Sequence, residues 1–186
     1  MATLVLASAS PRRRELLSQA GFTFEVRPAH ISEEILPNED PIAYVTRLAR
    51  EKAQVIYDQV CDPNAVVLGA DTTVTLDDLI LGKPEDAGDA ARMLRLLSGR
   101  THRVITGIAV VTGKRVEVAA EVTAVRFLTL SEEEIADYIA TGEPMDKAGA
   151  YAIQGRAARW IPRIEGCYFN VVGLPLALVS TMLGSL

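Results

Sequence analysis

The sequence has few of the residues that build thiolate, imidazole or disulfide sites. Among its 186 residues are two cysteines, Cys61 and Cys167, and two histidines, His30 and His102. The cysteines form no C-x-x-C pair, whereas a structural zinc site needs about four such ligands at short spacing. We therefore expect no zinc centre. We also expect the Cys167 thiol to be inert, because no histidine lies near it in the sequence.

The sequence also lacks a basic excess and a long apolar run. Lysine and arginine total 19 against 24 acidic residues, which gives a net charge of −5. Nucleic-acid binding relies on a basic face, so we expect no nucleic-acid partner, while a small anion in a local basic pocket still fits. The longest nearly apolar run, residues 171–179, is far shorter than the roughly 20 residues that cross a bilayer, so no membrane partner is expected. The chain start lacks a secretory pattern, which favours an intracellular location.

Length and patterning predict one α/β domain over residues 1–186 with a mixed sheet. Strands and helices alternate, as in α/β proteins, but a hairpin around residues 77–78 adds antiparallel pairing. The predicted strands cover residues 3–6, 22–26, 65–70, 74–76, 79–81, 104–111, 116–127, 159–161 and 168–172. The predicted helices begin at residues 11, 41, 85, 131 and 175.

The first candidate site is a basic strand-to-helix turn, residues 8–14. Ser10 suits the N-cap of the helix that follows. A helix N-terminus has unpaired N–H groups and a partial positive charge, so arginines there are unfavourable unless an anion is bound. A phosphate would accept hydrogen bonds from Ser8 and from the guanidinium groups of Arg12 and Arg13. The alternative is a basic turn whose side chains extend into water.

The second candidate is a lysine on an apolar helix face. Lys52 lies one turn from Leu48 and one turn from Ile56 on the predicted helix 41–60, so it falls on the face that should be buried. A buried ammonium group needs a partner. The alternative is that only the aliphatic part of the side chain is buried and the amine reaches water.

Two carboxylates are candidates for metal binding and base catalysis. Asp71 directly follows the apolar strand 65–70, and ligands of α/β sheets bind at the carboxyl ends of such strands. A carboxylate there can hold Mg²⁺ or act as a general base on water. Glu33, in a polar loop, is a second metal ligand candidate. The alternatives are an Asx turn at Asp71 and a solvated acid at Glu33.

Two weaker signals complete a consistent set. Lys83 returns after the hairpin towards the end of the strand that carries Asp71, and Gln154 places an amide in a glycine-flanked turn where it could contact a base edge. The whole set combines cations with carboxylates, as binding of a polyphosphate and a divalent metal requires. The cations are Arg12, Arg13, Lys52 and Lys83. The sequence lacks the P-loop motif and the G-x-S-x-G motif, which excludes those enzyme classes.

Seven ordered sequence blocks extend over nearly the whole chain. They cover residues 6–13, 47–53, 69–72, 82–84, 98–102, 146–155 and 170–175. In this order they resemble the Maf (septum-formation-inhibitor-like) nucleotide pyrophosphatases. The resemblance implies hydrolysis of a nucleoside triphosphate to the monophosphate and pyrophosphate with Mg²⁺ or Mn²⁺. It also implies a long mixed central sheet flanked by helices, two lobes around a cleft as in inosine-triphosphate pyrophosphatases, and a cytoplasmic, often dimeric protein.

The resemblance also assigns roles to individual residues. It places the general base at Asp71, and it makes Lys52 and Lys83 catalytic as well as phosphate-binding. The other phosphate and metal residues fall on Ser8, Arg12, Arg13 and Glu33, with Glu33 and Asp71 as metal ligands. The substrate-selecting positions are Arg12, Thr72 and Gln154, and these residue types are those of the branch that acts on dTTP and UTP. The branch that acts on 7-methyl-GTP has Trp, Gln and Glu instead.

Two other functions fit the same residues. One is a nucleotide-binding regulator of cell division with weak or vestigial hydrolysis. The other is a nucleotidyltransferase, which would need an acceptor substrate besides water.

The sequence departs from the family at Cys167, where serine is expected. If this position only packs, the departure changes nothing. If the serine hydroxyl helps to hold the neighbouring loop in the family, we expect lower activity here.

Overall fold

The structure is a computed structural model that describes residues 3–60 and 62–184, so Cys61 lies outside the described residues. The strands are β1 (Leu4–Leu6), β2 (Glu25–Val26), β3 (Val66–Leu76), β4 (Leu79–Leu81), β5 (Thr101–Val111), β6 (Val116–Arg126) and β7 (Arg163–Glu165). The α-helices are α1 (Pro11–Gln19), α2 (Pro41–Val60), α3 (Ala87–Leu97), α4 (Glu132–Ala140), α5 (Tyr168–Val172) and α6 (Leu176–Gly184). Short 3-10 segments are Glu143–Asp146, Ala148–Ala150 and Arg156–Trp160. None of the helices within the described ranges has both the length and the apolar character to cross a membrane.

The strands form one mixed sheet of seven strands. Its order is β2-β1-β3-β5-β6-β7, and β4 pairs with β3. β1 is parallel to both β2 and β3, with Val5 beside Glu25 on one side and Val67 on the other. The pairs β3–β4 and β6–β7 are antiparallel. Parallel and antiparallel pairing in one helix-flanked sheet confirms the predicted α/β class.

The chain divides into two compact units. The first unit contains the residues up to Thr72, Thr106–Glu121 and the residues from Gly173 onward. The second unit contains Thr73–Ile105 and Val122–Val172. Each unit has its own buried apolar cluster.

The core of the first unit depends on small residues that let α2 approach the sheet. A Cβ atom added at Gly69 in β3 would overlap the carbonyl oxygen of Ala49 and lie 2.9 Å from the Cβ of Ala53. At Gly107 in β5, an added Cβ would overlap the carbonyl group of Val45. Side chains are therefore excluded where α2 crosses these strands. This close packing presents the buried face of α2 directly to β3.

The core of the second unit contains a group of aromatic rings. Tyr151 and His102 contact Phe127 edge-on, with ring centroids 4.8 and 5.0 Å from it. Trp160 packs edge-on against Tyr138, with centroids 5.0 Å apart. Edge-to-face contacts of this kind are the preferred geometry of aromatic pairs. The rings join α4 to the segments that precede and follow it.

Several predicted boundaries are confirmed by their capping groups. Ser10 caps α1, since its hydroxyl accepts a hydrogen bond from the Arg13 backbone N–H at 3.4 Å. Ser131 and Glu134 form a complete capping box at the start of α4. The helix predicted from residue 85 begins later, at Ala87, because the Asp86 side chain acts as its N-cap.

The predicted strand pair near the C-terminus is wrong. Residues 159–161 do not form a strand, since most of this segment belongs to the 3-10 segment Arg156–Trp160, and residues 168–172 form α5. The buried Asn170 explains the helix, because its side-chain amide donates to the Val104 carbonyl and to the Thr123 hydroxyl, both at 3.0 Å. The strand predicted over residues 22–26 is confined to Glu25–Val26.

Candidate active site

The turn between β1 and α1 presents a serine hydroxyl with its proton available. Ser8 is buried, and its oxygen accepts hydrogen bonds from the Ser10 backbone N–H and from Arg13 Nη1, both at 3.2 Å. A serine hydroxyl has one donor and two acceptor positions. Within the described residues both hydrogen bonds of Ser8 use the acceptor positions, so the proton is left to donate. A phosphate oxygen accepts such a bond.

Arg13 joins three separate segments of the first unit. Its Nε donates to the Gly173 carbonyl at 2.8 Å, and its Nη2 donates to the Thr72 hydroxyl at 2.9 Å. Together with the bond to Ser8, these contacts use three of the five guanidinium N–H groups and leave two. Burial lowers the pKa of Arg13 from its usual 12.5, and this effect exceeds the opposing attraction of Asp71. Arg13 is thus a positioned cation with remaining donors.

Thr72 takes part in the same hydrogen-bonded group. Besides Arg13, its hydroxyl contacts the Thr106 hydroxyl at 2.8 Å. The Thr72 hydroxyl, on β3, therefore bonds both to α1, through Arg13, and to β5, through Thr106. Arg12 is half-buried in the first turn of α1 and, among the described residues, its side chain has no hydrogen bond or ion pair.

Lys52 links the two candidate carboxylates. Its Nζ lies 2.6 Å from Asp71 Oδ1 and 2.7 Å from Glu33 Oε1. The side chains of Lys52 and Asp71 are about one tenth exposed, at 10% and 11%, whereas that of Glu33 is half exposed at 50%. The prediction that Lys52 is buried and paired is confirmed. The alternative, a buried aliphatic part with an amine in water, does not describe this side chain, because Nζ contacts both carboxylates.

The environment of Asp71 makes it a stronger base than an ordinary aspartate. Burial raises its pKa above the usual 3.8, and the negative charge of Glu33 adds to this effect. The positive charges of Lys52 and Arg13 oppose it. A carboxylate with a raised pKa that faces two cations is typical of catalytic sites. The Asx-turn alternative does not apply, because Asp71 lies within β3 and not in a turn.

The loop that carries Glu33 is attached to α2 by side chains that the sequence analysis missed. The Tyr44 hydroxyl donates to the Glu33 backbone carbonyl at 2.9 Å. Arg47 holds the Glu39 carboxylate with two N–H groups at 2.5 and 2.8 Å, and it also donates to the Glu34 carbonyl at 2.9 Å. Burial, together with Asp71 and Glu33, raises the pKa of Tyr44 to about 12, so its hydroxyl stays protonated and donates. Tyr44 lies one helical turn before Leu48, so the helical spacing places it beside the buried face of α2, and this is the signal that could have identified it.

Lys83 and Gln154 belong to the second unit. Lys83 is exposed and follows β4, whose last residue, Leu81, pairs with Val74. The neighbouring Gly82 carbonyl accepts a hydrogen bond from the Gly149 N–H at 3.0 Å. Gln154 is exposed in a turn. That both residues serve the same ligand as Asp71 stays a prediction.

The position of Cys167 explains how a cysteine is accommodated. Its backbone N–H donates to the Thr123 hydroxyl, and its backbone carbonyl accepts from that hydroxyl, both at 3.0 Å. These bonds hold the segment through the main chain and do not involve the thiol. A hydroxyl on the side chain of residue 167 is therefore not needed for these bonds.

The carboxylates suit a divalent cation that is shared with a bound phosphate. Within residues 3–60 and 62–184, no group of three or more acidic, histidine or cysteine side chains could enclose a metal ion. Mg²⁺, however, is usually bound by one or two carboxylates together with substrate phosphates. Asp71 Oδ1 and Glu33 Oε1 lie 2.6 and 2.7 Å from the same Lys52 ammonium, so the two carboxylates are close neighbours. The donor set fits Mg²⁺ or Mn²⁺.

A family model described as Maf-like protein matches residues 3–186. The chain belongs to the Maf family. A relative named dTTP/UTP pyrophosphatase from Koribacter versatilis is 55% identical, and the match covers 97% of this chain and 92% of the relative. A Maf relative of the same name from Bacillus pumilus is 52% identical, with 95% and 93% covered. Another from Geobacillus sp. is 52% identical, with 95% and 94% covered.

This match confirms the resemblance to the Maf family that the seven sequence blocks carry. The matched region includes both units and every candidate site residue. The group formed by Ser8, Arg13 and Thr72 and the group formed by Lys52, Asp71 and Glu33 are both built from the first unit. In this Maf chain, their electrostatic link is Arg13, whose charge acts on Asp71.

Proposed function

We propose that the protein hydrolyses dTTP and UTP to the nucleoside monophosphate and pyrophosphate. The observation that carries the proposal is Asp71, a buried carboxylate whose pKa is raised while Lys52 lies 2.6 Å away. The relatives named dTTP/UTP pyrophosphatase support this choice of substrate. Water attacks the α-phosphorus, the bond from that phosphorus to the bridging oxygen breaks, and pyrophosphate leaves.

Asp71 acts as the general base in this proposal. It takes a proton from the attacking water, and its raised pKa makes it a better acceptor than an ordinary carboxylate. Lys52 keeps the carboxylate oriented through its 2.6 Å contact with Oδ1. A positioned base of this kind accelerates a reaction by about 10²–10⁴-fold.

Binding of the phosphates is assigned to Ser8, Arg12, Arg13, Lys52 and Lys83. The available proton of Ser8 and the two remaining N–H groups of Arg13 support this role in the first unit. The transition state of phosphoryl transfer is loose, so positioning and charge neutralisation provide most of the acceleration. A divalent cation would be held by Glu33 and Asp71, and when bound it would neutralise charge on the phosphate oxygens.

Selection of the base is assigned to Arg12, Thr72 and Gln154. A site that forms hydrogen bonds to a base rejects other bases strongly, because mismatched polar groups are left unpaired. Gln154 carries both a donor and an acceptor, as the edge of uracil or thymine requires. The cytoplasmic location and the homodimer that the family resemblance implies remain predictions.

The test is pyrophosphate release from a panel of triphosphates with and without a chelator. We expect turnover of dTTP and UTP that depends on the divalent cation, and little turnover of GTP or 7-methyl-GTP. Asp71→Asn should lose about 10²–10⁴-fold in kcat while it still binds UTP. Equal turnover of purine and pyrimidine nucleotides would contradict the selectivity. Nucleotide binding without pyrophosphate release would favour a regulator, and a requirement for an acceptor would favour a transferase.

A further inference from the structure

The turn that carries Gln154 is held on both sides by one hydroxyl–carboxylate pair. The Tyr138 hydroxyl, from α4, donates to Glu143 Oε1 at 2.7 Å and accepts the Ala152 backbone N–H at 3.2 Å. The Glu143 carboxylate accepts the Arg156 backbone N–H, with its two oxygens at 3.2 and 3.3 Å. The backbone is therefore fixed two residues before Gln154 and two residues after it.

The glycine beside Gln154 shows how closely the carboxylate approaches the turn. A Cβ atom added at Gly155 would overlap the Glu143 carboxylate. The Gly155 N–H also donates to the Ala152 carbonyl at 3.1 Å, which closes the turn on itself. The pair thus fills the space next to the turn.

The pair itself is well anchored in the second unit. Tyr138 is 1% exposed, and its ring packs edge-on against Trp160. The backbone N–H of Glu143 donates to the Thr141 hydroxyl at 3.1 Å, and that hydroxyl donates to the Tyr138 carbonyl at 2.6 Å. The backbones of Tyr138 and Glu143 are thus both tied to the end of α4.

The side chain of Gln154, by contrast, is not part of this support. It is exposed and, among the residues described here, its amide has no hydrogen-bond partner in the protein. A flexible amide selects between bases only if its backbone is held in place, since small errors in position remove most of the benefit of a positioned group.

We propose that Tyr138 and Glu143 are positioning residues that set base selectivity by fixing the turn of Gln154. The proposal rests on the function proposed above, in which Gln154 contacts the base. It predicts that loss of the pair weakens discrimination between bases and has little effect on the chemical step, because Asp71 and Lys52 belong to the other unit.

The test is a double-mutant cycle with Tyr138→Phe and Gln154→Ala. The readout is the ratio of kcat/KM for UTP to that for GTP, with kcat for UTP measured separately. Tyr138→Phe removes only the hydroxyl and should lower the ratio about 10-fold, the effect of about one hydrogen bond, with kcat for UTP nearly unchanged. In the Gln154→Ala background it should have no further effect, because the group that it positions is absent.

Two controls separate positioning from general damage. Tyr168→Phe removes the hydroxyl of an exposed tyrosine, 41% exposed, and should leave the ratio unchanged. Glu143→Gln, which retains one acceptor oxygen, should lower the ratio by less than Tyr138→Phe does. Glu133→Gln, at an exposed position of α4, should leave the ratio unchanged. Fluorescence of Trp160 reports whether each variant is folded, and Glu143→Gln provides the test if Tyr138→Phe does not fold.

The outcomes distinguish this inference from the proposed function. If Gln154→Ala lowers the ratio and neither Tyr138→Phe nor Glu143→Gln does, the positioning role is wrong and the base-reading role stands. If Tyr138→Phe acts equally with and without Gln154, its effect does not pass through that residue and the inference fails. If Gln154→Ala leaves the ratio unchanged, both the inference and the assigned role of Gln154 are overturned.

Discussion

Lys52 places a positively charged group on the buried face of α2. Its stability there depends on Asp71 and Glu33, whose oxygens lie 2.6 and 2.7 Å from Nζ. Burying two charges costs several kcal/mol, and their attraction offsets this only while both partners are present. Removing the ammonium group alone therefore leaves Asp71 as a buried acid without its hydrogen-bonded cation, although the charge of Arg13 still acts on it.

At this residue we predict that Lys52→Met destabilises the protein by about 3 kcal/mol, and that adding Asp71→Asn restores part of the loss. The second substitution helps because it removes the unpaired carboxylate. Unfolding in urea measures both effects. The matched control is Lys114→Met at an exposed site of the same unit, which should change stability by no more than about 0.5 kcal/mol. Additive losses in the double variant would show that the two residues do not stabilise each other.

The sequence alone identified Lys52 and Asp71 as site residues, but it did not identify the backbone groups that hold the site in place. Lys52 lies on an apolar helical face and Asp71 directly follows the apolar run 65–70, so each residue carries a visible signal. The prediction that the strand ends before Asp71 is wrong, because β3 continues through it to Leu76. The partners of Arg13 and Tyr44 include the backbone carbonyls of Gly173 and Glu33. A carbonyl is present at every residue, so no pattern of side chains marks the ones that accept these bonds.

At the level of elements, the approach of α2 to β3 sets the distance between Lys52 and Asp71. Gly69 lies under Ala49 and Ala53, which flank the turn of α2 that leads to Lys52. Because the overlapping atom at Ala49 is a backbone oxygen, a rotamer change cannot relieve the contact. A methyl group at this position must move the helix or the strand.

We predict that Gly69→Ala lowers the unfolding free energy by about 1–3 kcal/mol, the usual effect of overpacking, and also lowers kcat. The loss of kcat follows because displacement of α2 moves Lys52 away from Asp71. Urea unfolding and UTP turnover are the measurements. In Gly184→Ala the added methyl group meets no atom within 4 Å, so that variant should match the wild type. A Gly69→Ala protein with full stability and turnover would show that the helix position is not critical.

Element prediction from sequence succeeded where capping groups and periodicity agreed, and failed where tertiary contacts decided. α1 and α4 have serine N-caps, and their starts are confirmed. α5 is rich in aromatic and β-branched residues, which favours a strand, yet a buried asparagine anchors it as a helix. β7 has only three residues, Arg163–Glu165, which is too short for alternation to be visible.

At the scale of the whole molecule, folding stability depends on pH through a buried histidine. His102 is 2% exposed, and burial lowers its pKa from 6.5 to about 3. Its Nε2 lies 2.7 Å from the Tyr151 hydroxyl, while Nδ1 has no partner within the described residues. Between pH 6.5 and about 3 the unfolded chain binds a proton at this residue and the folded protein does not. Folding stability therefore falls as the pH falls through this window.

We predict that the unfolding free energy of the wild type falls by about 1.4 kcal/mol, because of this one residue, when the pH is lowered from neutral to one unit below 6.5. His102→Gln keeps a side-chain partner for Tyr151 but does not titrate, so its stability should fall less over the same range, even if its stability at neutral pH is lower. Urea unfolding followed by the fluorescence of the single tryptophan, Trp160, measures the difference, since this ring lies in the same unit. Gly184→Ala, which changes no titratable group and adds a methyl group that meets no atom within 4 Å, should retain the wild-type dependence. Equal pH dependence in the wild type and His102→Gln would mean that His102 is protonated in the folded protein, or that another group controls acid stability.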